Sequence, residues 1–191
     1  MDDPLTTIEK ATLLRVARNA IENHIHRKPL EKFDTGDFPT NLSSPGASFV
    51  TLNTIPGNHL RGCIGALEAY QSLILDVQEH TIAAAFDDYR FSPVRETELP
   101  LIRIEISRLT KPILLIYDST ENLLMKLRPG IDGVILRNGN QRATFLPQVW
   151  EKLESKESFL SQLCLKMGAN SDLWKKKQLQ VLTYQVEEFH E

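Results

Sequence analysis

The residues best suited to chemistry form one short stretch, Leu60–Gly65, which reads Leu-Arg-Gly-Cys-Ile-Gly and combines a cation, a thiol and two glycines. Apolar flanks and a Pro-Gly-Asn break at 56–58 predict a strand, a turn and a second strand. Because side chains alternate along a strand, Arg61 and Cys63 share one face about 6.6 Å apart. A nearby cation favours the thiolate, so Cys63 is a candidate nucleophile and Arg61 its candidate activator.

The two glycines of this stretch, Gly62 and Gly65, indicate that a ligand or another backbone segment approaches closely. Their amides are candidate ligand-binding donors for charge that develops on a bound substrate. The other strand face, with Leu60, Gly62 and Ile64, is apolar and is expected to meet the core. The alternative for Cys63 is a structural role, since free cysteine often acts as a small buried hydrophobe.

Three further side chains are weighed as partners of Cys63. His59 shares its strand face by parity, and His80 lies on a neighbouring predicted helix, so each is a candidate base for a thiol. The alternative for His59, at a hairpin end, is simple exposure to solvent. Arg90 follows the helix, where it either forms a surface ion pair with a nearby aspartate or adds a ligand-binding cation beside Cys63.

Charge and motif content exclude several classes of function. The 191 residues carry 22 basic and 25 acidic side chains, and the formal net charge of −3 argues against nucleic-acid binding. His24 and His26 are two apart on a predicted helix and point in different directions, so no metal site is predicted. Patterns typical of nucleotide-binding loops, serine hydrolases and zinc proteases are absent from the sequence. The sequence does not identify a cofactor.

The cysteine and hydropathy patterns indicate in which cellular compartment the protein is expected. Two cysteines, Cys63 and Cys164, do not make a disulfide framework, which favours a reducing cytoplasm. The acidic start does not resemble a signal peptide, and no run approaches the roughly 18 to 20 apolar residues of a membrane helix. We therefore expect a cytoplasmic protein without a membrane segment. Cys164 lies on an apolar helix stripe and is expected to be structural.

Hydrophobic periodicity predicts an α+β protein with a mostly antiparallel sheet. Helices are expected at 7–27, 71–88, 119–127 and 156–167, and strands at 47–54, 59–67, 102–107, 113–117, 133–136, 143–146 and 179–186. Thr6 and Glu9 are spaced as a capping box at the start of the first helix.

The stretch Leu60–Gly65 also resembles the hallmark segment of the AMMECR-type domain family, protein A of the AmmeMemoRadiSam group. The family's other motifs are matched in the family's order by Ala83–Pro93, Glu105–Leu109, Gly130–Val134, Phe145–Trp150, Phe159-Leu160 and Leu163–Lys166. The resemblance covers residues 5 to 189, and Ala143 departs from it where many relatives have glycine.

The resemblance implies a single domain over 1–191, with subdomains at 1–110 and 111–191 that arise from an internal duplication. It further implies one curved, barrel-like sheet with flanking helices. It does not specify a reaction, so two hypotheses stay open. One is a cysteine-dependent enzyme or enzyme component that acts on a small-molecule or peptide ligand. The other is a non-catalytic binding or adaptor protein that works with Memo-like and radical S-adenosylmethionine proteins.

Arg61 is expected to bind an anion in either case. That anion is a carboxylate or phosphate of a ligand, or else a carboxylate of the protein itself, such as Asp87 or Glu68. A buried pair with the protein would make Arg61 essential to stability rather than to ligand binding.

Overall fold

A computed structural model describes residues 3–153 and 155–191, which divide into two compact units. The first unit extends to Thr110 and also includes Glu187–Glu191, whereas the second is Lys111–Val186. No helix in the described ranges is both long and apolar enough to cross a bilayer.

The elements follow one another in alternating groups of strands and helices. Up to Thr110 they are α1 (Thr7–Ile25), α2 (Thr40–Ser43), β1 (Pro45–Thr54), β2 (Leu60–Gly65), β3 (Gln71–Ser72), α3 (Leu73–Ile82) and β4 (Ile102–Leu109). Beyond it they are β5 (Ile113–Leu114), α4 (Thr120–Lys126), β6 (Gly133–Asn138), β7 (Gln141–Phe145), α5 (Lys156–Lys166), α6 (Leu173–Lys176), β8 (Gln180–Tyr184) and β9 (Val186–His190). Short 3₁₀ turns cover Thr35–Asp37, Glu96–Leu101 and Pro147–Glu151, and a π-helical turn covers Ala83–Asp87.

The first unit is built on a sheet with strand order β2-β1-β4-β9, and β3 pairs with the start of β1. The pairs β1–β2 and β1–β4 are antiparallel. Val50, Leu52, Ile104 and Ile106 are fully buried on one face, where the apolar sides of α1 and α3 cover them. Alternate residues of the same strands therefore lie on the opposite face.

The helix α1 confirms the predicted capping box. The Thr6 hydroxyl accepts from the Glu9 amide, and the Glu9 carboxylate accepts from the Thr6 amide. The apolar stripe of α1 is buried at Leu13, Val16 and Ile21, so this helix supplies much of the cover for the first sheet.

The second unit is built on a sheet with strand order β5-β8-β6-β7. Its core includes Trp150 stacked on Phe159, with ring centroids 3.6 Å apart. Leu163 and Cys164 of α5 lie in the same cluster and are fully buried. The sequence correctly placed the β6–β7 hairpin, because Gly139 and Asn140 form its two-residue turn and Gly139 has a φ of +61°.

The α+β class and the antiparallel sheets are confirmed. Within the described ranges the strands form two sheets, and neither closes into a barrel. The predicted internal duplication stays a prediction.

Several predicted element boundaries were wrong. The helix expected at 71–88 ends as an α-helix at Ile82 and continues as a π-helical turn. The strand expected at 113–117 pairs over only Ile113–Leu114. The strand expected at 179–186 is β8, which ends at Tyr184, and the chain then continues from Val186 as a further strand, β9, that lies beside β4 in the other sheet. Periodicity cannot show which sheet a strand joins.

Candidate functional site

Cys63 lies on β2, an edge strand of the first sheet, with Thr51 of β1 opposite it and Glu105 of β4 beyond Thr51. These residues occupy the sheet face away from the core, because their neighbours Val50 and Leu52 are fully buried on the other face. The Thr51 hydroxyl donates a hydrogen bond to Cys63 Sγ at 3.4 Å. The Cys63 side chain is thus half-buried and hydrogen-bonded, and it lies outside the apolar core.

The main chain of Cys63 is held by two side chains at the outer edge of β2. Its amide donates to Asp88 Oδ2 at 2.9 Å, and its carbonyl accepts from Arg90 Nη2 at 3.0 Å. An edge strand otherwise leaves such groups without a ladder partner. Asp88 and Arg90 therefore take the place of a neighbouring strand at this one residue and fix the position of Cys63.

Asp88 and Arg90 form a two-point ion pair. Arg90 Nε donates to Asp88 Oδ1 at 2.9 Å, and Arg90 Nη2 donates to Oδ2 at 2.6 Å. These bonds, helped by the Cys63 amide and opposed by burial, hold the pKa of Asp88 far below its usual range. Asp88 is 3% exposed, whereas the Arg90 side chain is 43% exposed. Arg90 Nη1 has no hydrogen-bond partner in the part of the chain that the structure describes.

The π-helical turn Ala83–Asp87 brings Asp88 to the strand. A Cβ atom on Gly62 would lie 2.1 Å from the carbonyl oxygen of Ala84, so only glycine lets this turn lie against β2. Isolated π-helical turns are frequent at functional sites. Gly62 therefore accommodates a backbone segment of the protein, and this contact in turn positions the carboxylate that binds Cys63.

Arg61 is held by a carboxylate of the protein. Its Nε donates to Glu98 Oε1 at 2.8 Å, and its Nη2 donates to Glu98 Oε2 at 3.2 Å and to the Ser92 carbonyl at 2.8 Å. The guanidinium also lies 5.9 Å from the centroid of the Phe91 ring, and Arg90 lies 5.5 Å from the same ring. Phe91 thus contacts both cations of the site.

The Arg61 partner is Glu98 rather than either of the carboxylates named from the sequence, Asp87 and Glu68. Glu98 is on the 3₁₀ turn before β4. Because it is far from Arg61 along the chain, the sequence alone does not reveal this contact. The hydrogen bonds from Arg61 lower the pKa of Glu98, against the opposing effect of burial. The Arg61 side chain, only 13% exposed, therefore has a structural partner whether or not it also acts on Cys63.

The two candidate bases lie in different places. His59 is exposed just before β2, and no hydrogen bond connects it to Cys63. His80 is buried on α3, where its Nδ1 lies 3.2 Å from Asp76 Oδ2. The Ser48 hydroxyl donates to the same carboxylate oxygen at 2.6 Å. His80 therefore belongs to a buried polar network centred on Asp76.

The remaining residues of the motif differ in what they can offer a ligand. Since the Cys63 amide points to the outer edge, alternation directs the Gly62 amide towards β1 and the Gly65 amide outwards. A Cβ atom on Gly65 would lie 2.4 Å from the Ser48 carbonyl oxygen, which explains the glycine without a ligand. The core position predicted for Leu60 was wrong, because this residue begins β2 opposite a register shift and is 44% exposed.

Sequence reasoning did not identify Thr51, Glu98 or Glu105 as members of the site. Thr51 and Glu105 enter it through strand register, which places both in one row with Cys63. Exact pairing depends on tertiary contacts, so no local pattern marks these two residues. Together the residues offer a thiol, a hydroxyl and a carboxylate on one face of the sheet, and a guanidinium nitrogen of Arg90 at the edge of β2.

Comparisons with known proteins agree on the family. The AMMECR1 family model matches residues 14–189. Protein MJ0810 of Methanocaldococcus jannaschii is 35% identical over 98% of this chain and 92% of that protein. A protein of Methanothermobacter thermautotrophicus is 38% identical over 98% of this chain and 97% of its own length.

A solved structure shares the fold as well. The crystal structure of the uncharacterized protein PH0010 from Pyrococcus horikoshii superposes with a TM-score of 0.73 at 33% identity. The match covers 95% of this chain and 91% of that one. On the family model, the relatives and this structure, the chain belongs to the AMMECR1 family.

Proposed function

We propose that this protein is a cytoplasmic, cysteine-dependent enzyme or enzyme component whose reactive group is the Cys63 thiol. The observation that carries the proposal is the double anchoring of the Cys63 main chain by Asp88 and Arg90. Precise placement of a reacting group is a general requirement of catalysis, whereas a cysteine that only fills space requires no such anchor. The Cys63 residue is half-buried rather than fully buried, as the proposed approach of a ligand to its sulfur requires.

In the proposed step the Cys63 sulfur adds to a carbonyl carbon of a small or peptide substrate. The carbon–sulfur bond forms while the S–H bond and the π bond of the carbonyl break, and the carbonyl oxygen takes the electron pair. The Thr51 hydroxyl, which donates to Cys63 Sγ before the step, turns to accept the thiol proton and donates its own proton to the carboxylate of Glu105, which then carries it as the neutral acid. Support for this route is the strand register, which places the three residues side by side on adjacent strands about 4.8 Å apart. Glu105 has no hydrogen bond or ion pair elsewhere within the described ranges.

Arg90 is the proposed anchor for a negatively charged group of the substrate. Its Nε and Nη2 are held by Asp88 and Cys63, while its Nη1 is free to donate to an anion. A guanidinium that is already held rigidly loses little freedom when it binds. The outward amide of Gly65 is a second proposed donor on the same strand edge. Arg61 contributes to the site indirectly, through its ion pair with Glu98 and its contact with the Phe91 ring.

A non-catalytic role is the second candidate, and one observation favours it. Arg61 and Arg90 are each neutralised by a carboxylate, and neither His59 nor His80 contacts the thiol. On this alternative the same strand edge binds a partner, and the resemblance suggests a Memo-like or radical S-adenosylmethionine protein. Cys63 would then contribute contact surface and no chemistry.

Competing alkylation with two matched reagents tests the proposal. Iodoacetate carries a carboxylate and iodoacetamide does not, so the ratio of their rates at Cys63 reports an anion anchor next to the thiol. We expect the ratio to fall several-fold in Arg90→Gln and to stay unchanged in the matched surface variant Arg15→Gln. We also expect Glu105→Gln to slow both reagents. Equal rate ratios in all three proteins, with no effect of Glu105→Gln, would favour the binding role.

A further inference from the structure

A row of three polar side chains crosses the second sheet beside its β6–β7 hairpin turn. Arg137 of β6 lies between Arg142 of β7 and Gln180 of β8, which are its direct neighbours in the strand register. All three belong to the second unit. The adjacent positions of the three strands hold residues of the core of that unit, Leu136, Ala143 and Val181. Because side chains alternate along a strand, the row lies on the opposite face of the sheet.

Both charged residues in the described strands of this sheet belong to the row. The strands β5, β6, β7 and β8 contain Arg137 and Arg142 but no aspartate or glutamate. Like charges directly opposite each other on neighbouring strands are unfavourable. An anion next to the two guanidinium groups would remove this repulsion, and the strands of the sheet do not supply one.

The Arg137 side chain has no ion pair or hydrogen bond to any residue that the structure describes. Its Nε is buried, whereas its two Nη atoms also lack a partner but are not enclosed. Arg137 is half-buried, and Arg142 and Gln180 on either side of it are exposed. The Arg137 guanidinium therefore reaches the surface within the row, with both Nη groups free to donate.

We propose that the row binds a phosphate group, either inorganic phosphate or the monoester of a small molecule. A guanidinium donates two parallel hydrogen bonds to a phosphate, and it stays charged throughout the physiological pH range. A phosphate monoester carries a charge of about −1.5 to −2 near pH 7 and three acceptor oxygens, which match two guanidinium groups and the Gln180 amide. A carboxylate has a single charge and two oxygens, so it matches the row less well. The formal net charge of −3 argues against a polyanion such as nucleic acid.

Calorimetric titration of the intact protein at constant ionic strength tests this assignment, with glycerol 3-phosphate, inorganic phosphate and acetate as the probes. We expect the better-bound phosphate to bind about tenfold more tightly than acetate, and comparison of the two phosphates separates a monoester ligand from the free anion. The affinity for glycerol 3-phosphate should rise several-fold between about pH 5 and about pH 7.5, because a phosphate monoester loses its second proton at about pH 6. Failure of both phosphates to bind at concentrations up to about 10 mM, or an affinity equal to that of acetate, would overturn the proposal.

Matched variants then assign the binding to the row. Arg137→Gln and Arg142→Gln should each weaken phosphate binding about tenfold, because each removes a charged donor. Lys177 donates through Nζ to Asn138 Oδ1 at 2.8 Å beside the same hairpin turn, so Lys177→Gln removes a nearby positive charge that is not part of the row. This control should change the affinity less than about twofold. An equal loss in Lys177→Gln and Arg137→Gln would show general charge attraction and overturn the proposal. If a variant melts below the assay temperature, the three probes on the parent protein still decide the question.

Discussion

The two cysteines of this chain are placed in opposite ways. Cys164 is on α5 in the second unit, fully buried among Phe159, Leu160 and Leu163, and burial raises the pKa of its thiol. Cys63 is on a sheet edge in the first unit, half-buried and on the face away from the core. The first is a packing residue, and the second is held in place by polar side chains.

The difference shows that the degree of burial alone does not identify a functional cysteine. The Cys164 main chain belongs to a regular helix, so its position follows from the helix itself. The Cys63 main chain depends on Asp88 and Arg90, which reach it from the far end of α3 and its π-helical turn. Polar side chains that hold the main chain of one cysteine indicate a functional site more strongly than the degree of burial of that cysteine does.

Removing the carboxylate that anchors Cys63 should cause the largest loss in the free energy of unfolding. Asp88→Ala leaves the Cys63 amide and the Arg90 guanidinium without their shared acceptor, and we expect a loss of about 3 kcal/mol in the free energy of unfolding. Urea denaturation measures this loss. The surface change Asp118→Ala is the matched control and should stay within about 0.5 kcal/mol of the parent protein. An equal effect of the two changes would contradict the anchoring role.

Arg61→Met should have the next largest effect, because it leaves Glu98 without its two-point partner. The Glu98 side chain is 31% exposed and water replaces part of the lost interaction, so we expect about 2 kcal/mol rather than the full cost of a buried pair. Thermal and urea unfolding check this value. Unchanged stability would instead favour the hypothesis that Arg61 binds the anion of a ligand.

Acid titration should sharpen the contrast between Asp88 and an ordinary carboxyl. Its native pKa lies far below the value of about 3.9 in unfolded chains, so its stabilisation is complete above that pH and is lost as the pH falls. Below about pH 3.9 this group contributes a slope of about 1.4 kcal/mol per pH unit. Asp88→Asn should remove that contribution from the dependence of unfolding free energy on pH. An unaltered slope would show that Asp88 is not the titrating group.

Cys164→Ala should have the smallest effect on stability and none on the site. Loss of one buried sulfur should cost about 1 kcal/mol in unfolding free energy, measured in urea. The alkylation rate of Cys63 should be the same as in the parent protein. A change in that rate would mean that the second cysteine affects the first.

The sequence predicted those parts of the fold and site that depend on local pattern. The capping box at Thr6, the β1–β2 hairpin and the half-buried face of Arg61 and Cys63 follow from residue type and alternation. The wrong boundary at 71–88 has a physical cause, since a π-helical turn differs from an α-helix by its hydrogen-bond pattern and not by its composition.

The parts that sequence reasoning missed depend on contacts between distant segments. Glu98 reaches Arg61 across 37 positions, and Asp88 reaches the Cys63 amide across 25. Thr51 and Glu105 join the site through strand pairing, and β9 joins the first sheet from the end of the chain. Such contacts are fixed by tertiary packing, for which no single stretch of sequence carries the signal.

The central claim, that Cys63 is the accessible functional thiol and Cys164 a structural one, is tested most directly by native alkylation. The folded protein is treated with iodoacetamide across a pH series, and modification at each cysteine is followed by peptide mass spectrometry. We expect rapid labelling of Cys63, and labelling of Cys164 only after denaturation. Labelling of Cys164 ahead of Cys63, or no labelling of Cys63 in the folded protein, would contradict it.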